Sequence, residues 1–236
     1  MFQAIDLHFL STSLKVDLTY NNISVIYLKD HNPPIVYRTG NSNSSPIQRV
    51  FKLEGNPIKC DCFIYDLLLY LEHKMDPEIY ELYQLEPGNL TCTGPSYLEG
   101  IPVDKLKSDK LECAYPQPEE CPEQCMCTIR PADSAMRINC SGQHLTQVPQ
   151  LPKLQKLNLT TKKRLHLTLN HMELVLSKNK IRELPTYSNP GYSNVTKLYL
   201  SYNNITSLSK ENLPPVIKVL YSSMYITCKR KLQRYR

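Results

Sequence analysis

Short stretches of this chain alternate apolar and polar residues and then break at an asparagine. At Val195, Leu198, Leu200, Asn203 and Ile205 the spacing is L-x-x-L-x-L-x-x-N-x-L. It predicts a strand with one buried face, followed by a tight turn. The same register recurs at Leu174, Leu176, Asn179 and Ile181, with its asparagine 24 residues before Asn203. Upstream, Val16, Leu18, Asn21 and Ile23 repeat it, and so do Phe51, Leu53, Asn56 and Ile58. Asn21, Asn56, Asn179 and Asn203 are expected to form an inward ladder, each pairing backbone groups that its turn leaves unmade, since a buried carboxamide is tolerated only when hydrogen-bonded. The period then changes. Phe63, Leu67, Leu68 and Leu71 predict a short amphipathic helix whose apolar side lies over the end of the preceding strands.

The period is that of a leucine-rich repeat, so the expected fold is α/β, a solenoid of stacked strand-turn units. Eight of the nine cysteines fall in two quartets beside this text: Cys60, Cys62, Cys92, Cys113 and Cys121, Cys125, Cys127, Cys140. A terminal repeat exposes its core unless covered, which makes each quartet a disulfide-stapled cap and the pair a carboxy-terminal cap followed directly by an amino-terminal one. The expected layout has the end of a first repeat block at 1–58, a carboxy-terminal cap at 59–114 and a linker at 115–120. An amino-terminal cap at 121–150, a second block degraded at its end at 151–228 and a basic tail at 229–236 complete it. Arg137 to Cys140 should supply the edge strand of the second cap, and Leu145, Val148 and Leu151 should begin the next repeat core. The pattern is damaged between Leu154 and Leu169, where Lys162 stands in place of asparagine, and a Pro/Asn/Ser-rich stretch at 31–46 reads as a surface loop.

Composition narrows the class. The chain is 41% apolar with 7 glycines, 18 prolines and no tryptophan, and it carries neither phosphate-binding glycine motif. Its net charge of +6 is mild and unaccompanied by interleaved aromatics, which argues against a nucleic-acid partner. Seven N-x-S/T sequons stand at Asn22, Asn43, Asn89, Asn139, Asn158, Asn194 and Asn204. With the framework cysteines they indicate an extracellular chain. The first ten residues lack the basic-then-apolar form of a signal peptide, and no run approaches the length of a membrane span. The chain therefore reads as a segment whose signal and span lie beyond its ends.

Other cysteine chemistry is set aside. Without a C-x2-C pair there is no zinc-site spacing, and Cys228 has no evident histidine and acid partner, so neither metal, cofactor nor enzymatic activity is expected. Cys60 and Cys62 are too close to bridge each other without strain, and each should reach a different downstream cysteine, adding about 4 kcal/mol per closed loop.

LEGNPIKCDCFIYDLLLYLE, then LTCTGPSYLEGIPVDKL, then CPEQCMCTIRPADSAMRINCSGQHLTQVPQLP, and NPGYSNVTKLYLSYNNITSL with NLPP resemble the membrane-proximal ectodomain of insect Toll receptors, part of the Toll-like receptor family. The resemblance implies bridges Cys60–Cys92, Cys62–Cys113, Cys121–Cys127 and Cys125–Cys140, with Cys228 unpaired. It also implies a single-span receptor that binds cystine-knot cytokines of the Spätzle type, pairs with a second copy, and signals in innate immunity and development. A soluble repeat protein, acting as a decoy or in adhesion, is the alternative. The resemblance departs at the second block, which lacks the family's closing cysteine cap.

Overall fold

The computed structural model describes residues 4–6, 15–28, 48–115, 118–154 and 169–222. Asn43, Asn158, Cys228, the 31–46 stretch, the segment around Lys162 and the basic tail lie outside them. Two compact units divide at Glu112 and Cys113.

In the first unit the strands are short and parallel. β1 (Ala4–Asp6) pairs with β3 (Val25–Tyr27), β2 (Lys15–Asp17) pairs with β4 (Arg49–Lys52), and β5 (Pro57–Ile58) pairs with β7 (Thr91–Cys92). β4 also pairs with β6 (Tyr83–Glu86). Between β5 and β6 lie α1 (Tyr65–Leu71) and α2 (Pro77–Leu82). The turn into α1 begins where the Asp61 carboxylate accepts the Phe63 N–H at 3.0 Å. α2 starts at a proline, which has no N–H to leave unpaired there. The buried stripe differs by a residue from the expected one: Ile64, Leu67 and Leu68 face the core, while Phe63 and Leu71 are half-buried. Ile64 belongs to a tighter one-turn helix preceding α1, and that change of pitch rotates the face.

The second unit is built on a six-stranded sheet in the order β13-β12-β11-β10-β9-β8. Its strands are β8 (Cys113–Ala114), β9 (Met126–Arg130), β10 (Ala135–Asn139), β11 (His171–Val175), β12 (Val195–Tyr199) and β13 (Val219–Tyr221). β10 to β13 are parallel, and β9 pairs antiparallel with both β10 and β8. Met136, Ile138, Met172, Leu174 and Leu198 fill the core at 0% exposure.

Three expectations are corrected here. β10 is an interior strand, because the β9 hairpin covers its flank. β11 pairs directly with β10, so Leu145 and Val148 lie half-buried on the connecting turn and Leu151 alone of that trio is fully buried. The linker expected at 115–120 is anchored structure at its start: Tyr115 is 5% exposed, its N–H donates to the Cys127 carbonyl, and its hydroxyl donates to Glu120 at 2.8 Å.

The asparagines show how the turns are held. Asn179 donates to the Cys140 and Leu176 carbonyls at 2.8 and 2.9 Å and accepts the Leu145 N–H at 2.9 Å. Asn203 does the same toward Leu176, Leu200 and Ile181, and Asn56 toward Leu18, Leu53 and Ile23. In each case one carboxamide joins its own turn to the preceding one. Asn21 departs from the expected inward position: it is exposed, and among the described residues it bonds locally, to the Leu18 and Thr19 carbonyls. The turns share a further feature, since Tyr20, Gly55, Lys178 and Tyr202, immediately before these asparagines, all have left-handed backbone with φ of 53, 73, 58 and 60°.

Candidate functional site

Side chains alternate across the second unit's sheet, so its outer face carries transverse rows, of which two span five strands. Strand pairing aligns Thr128, Arg137, Glu173, Lys197 and Val219 in one row. Toward the carboxy-terminal ends of the parallel strands it aligns Met126, Asn139, Val175, Tyr199 and Tyr221 in the other.

Charge organises the first row. Glu173 is 4% exposed although it stands on the outer face, because cations cover it: Arg130 Nη2 at 3.2 Å, Arg137 Nε at 3.4 Å and Lys197 Nζ at 3.6 Å. Arg130 also forks onto Asp133 through two bonds of 2.8 Å. That fork holds the Asp133 carboxyl below its ordinary pKa and raises that of the Arg130 guanidinium. His171 lies 3.8 Å from Asp133, yet burial of its ring outweighs that attraction and lowers its pKa, favouring the neutral imidazole. These groups pair across four strands, three cations on two carboxylates, which ties the strand register together. Among the described residues no group of three or more His, Cys, Asp or Glu could hold a metal ion.

The second row sets apolar and aromatic side chains beside Asn139 and is open at both ends. Tyr199 and Tyr221 stack with centroids 4.7 Å apart and planes within 10°. Tyr221 is 53% exposed and Met126 63%. Neither row is evident from the sequence. Alternating polar and aromatic positions are visible along each strand, but their alignment depends on cross-strand register, including the irregularity between Met172 and Glu173.

The remaining predicted residues are distributed over both units. Cys60 bonds Cys92, Cys121 bonds Cys127 and Cys125 bonds Cys140, with Cα separations of 5.4, 5.9 and 4.4 Å. Cys62 and Cys113 are also disulfide-bonded. Of the sequons, Asn22, Asn89 and Asn204 are exposed, and Asn139 and Asn194 are half-buried. Asn89 stands at a groove of about 540 Å³ lined by Leu71, Leu90, Pro102 and Val103. Nearby, the Ser108 hydroxyl and N–H donate to Glu72, and Lys74 pairs with it at 2.8 Å. Burial acts to raise the Glu72 pKa, but these partners outweigh it and hold the carboxyl at about 2. No helix among the described residues is long and apolar enough to cross a membrane.

No protein-family model matches the chain. It is 34% identical over 215 residues to protein Toll of Drosophila melanogaster, covering 89% of this chain and 18% of that protein. A chain of the Toll–Spätzle complex, described as a hub in Drosophila development and innate immunity, superimposes with a TM-score of 0.68 at 31% identity, covering 86% of this chain and 24% of that one. The glycosylated form of the complex gives 0.66 at 30% identity, over 86% and 23% of the two chains. This chain thus spans about a fifth of the length of its curated relative.

Proposed function

The chain belongs to the Toll receptor family, as a segment homologous to its ectodomain, and from that premise we propose that it is the membrane-proximal, extracellular part of a Toll-like receptor. In this reading it is a leucine-rich-repeat solenoid of two short blocks. The two quartets are back-to-back caps, the first closing one block and the second opening the next. The segment acts as a protein-contact module, contributing to recognition of a cystine-knot cytokine of the Spätzle type or to pairing of receptor copies. Neither role requires catalysis, and the salt-locked face of the second unit offers positional recognition rather than proton transfer.

The observation that carries this reading is the extent of the homology. An alignment over 89% of the chain at 34% identity includes both cysteine quartets wherever it begins. The order of two quartets between strand-and-asparagine units is far more specific than the repeat pattern alone. Support also comes from the asparagine bonds, which repeat between turns in both units.

Deletion of residues 121–228 from the parent receptor tests the contact role. The expected result, in a reporter assay in insect cells, is an altered dose response to a Spätzle-type ligand with cell-surface delivery intact. An unchanged dose response would reduce the segment to a spacer. Expressed alone as a secreted chain, it should leave the reporter silent.

A further inference from the structure

Asn139 is the sequon whose position in the fold has a consequence for the sheet face. It begins Asn139-Cys140-Ser141 and lies on β10 in the open row, directly across from Met126 on one side and Val175 on the other. Val175 is followed in the same row by Tyr199 and Tyr221. Its carboxamide oxygen accepts the Ser141 N–H at 3.1 Å, and the side chain is half-buried. The Ser141 hydroxyl is bonded to the Ser177 carbonyl at 3.0 Å in the folded chain. Glycan transfer takes place on the nascent chain, before that bond can form.

We propose that Asn139 carries an N-glycan whose inner sugars lie along the sheet face, over Val175 and against the Tyr199–Tyr221 stack. Neighbouring strands are about 4.8 Å apart, so Tyr199 stands roughly 10 Å from Asn139 and Tyr221 roughly 14 Å. Those distances are within the span of an N-glycan core. The aromatic geometry supplies the platform: the rings of Tyr199 and Tyr221 face one another at 4.7 Å across adjacent strands, which turns the second face of Tyr199 toward Val175 and Asn139. Sugars present apolar C–H faces, which pack on aromatic rings, while their hydroxyls stay in water. Covalent attachment within the row, two strands from Tyr199, holds the local sugar concentration high, so weak stacking is enough to dock it. The glycan then covers the apolar row as part of the folded molecule, and protein contacts on this unit fall to surfaces outside that row.

The inference rests on the extracellular reading of the chain. The test uses the full chain secreted from insect cells, with glycopeptide mass spectrometry for occupancy and hydroxyl-radical footprinting of individual tyrosines. The expected result is an occupied Asn139 and several-fold weaker oxidation of Tyr199 than in N139Q, or than in the same folded protein after enzymatic removal of its glycans. Tyr187, 43% exposed and on another segment, should be unchanged, and N204Q should leave Tyr199 protected. Enzymatic removal gives the comparison even where N139Q is not secreted. Glycans at Asn22 or Asn204 with Asn139 vacant, or an occupied Asn139 with Tyr199 oxidised equally in both forms, would overturn the docking proposal alone. A secreted chain bearing no glycan at any sequon would overturn the proposal together with the extracellular reading.

Discussion

The regions around the first and the second cysteine quartet are fastened in different ways. After β5, Cys60–Cys92 closes a loop of 32 residues around two short helices, and the region is then fastened by individual polar contacts. Tyr70 donates to the Tyr83 carbonyl and accepts the Leu85 N–H, while Glu72 holds Ser108 and Lys74. Around the second quartet the loops span 6 and 15 residues, and they fasten a hairpin that extends a sheet already repeating the same asparagine bond. A region built from unlike pieces depends on its long-range crosslink. A region built by repetition depends on the unit repeated.

Crosslink removal gives the largest expected effect. Replacing Cys60 and Cys92 by serine should destabilise the first unit by about 4 kcal/mol, whereas the same change at Cys121 and Cys127 should cost about 2 kcal/mol in the second, following loop length. Urea midpoints of the secreted chain, with exchange protection to locate the loss, test this. Equal costs would show that strain or residual structure, rather than loop entropy, governs the two regions.

Asparagine substitutions probe the repeating region. Asn179→Ala removes the partner of a half-buried N–H and of two buried carbonyls, and should cost about 2–3 kcal/mol. At the exposed Asn21, alanine should cost less than about 1 kcal/mol, because only local bonds are lost and water replaces them. Similar denaturation midpoints for the two variants would remove the distinction between a bridging asparagine and a local one.

A comparably small effect is electrostatic and belongs to the first unit. Glu72 has its folded-state pKa held at about 2, below the ordinary 4.5. Its contribution is thus full above the ordinary value and is lost as pH falls from there through about 2. Glu72→Gln should destabilise by about 1 kcal/mol at pH 7 and by less near pH 2, the exposed Lys74 limiting the gain. A cost that does not vary between these pH values would assign Glu72 a packing role instead.

Much of this architecture was legible in the sequence because it is written in local periods. The i, i+2, i+5 spacing of Leu174, Leu176 and Asn179 dictates an inward strand face and a turn asparagine, and the same text at Leu198, Leu200 and Asn203 dictates its neighbour. The cysteine quartets identified regions where repetition stops. What tertiary structure decided was position relative to neighbours. Asn21 carries the same local text as Asn56, but among the described residues only Asn56 is bonded to another turn, and Asn56 is buried while Asn21 is exposed. Lys178 and Tyr202 adopt left-handed backbone without being glycine because the turn demands it, and no propensity signals that. The ion-paired Glu173 cluster and the Asn139–Tyr221 row join residues far apart in the chain through strand register. A sequence states which face of a strand a side chain takes, but register across strands is settled by the packing of the whole sheet.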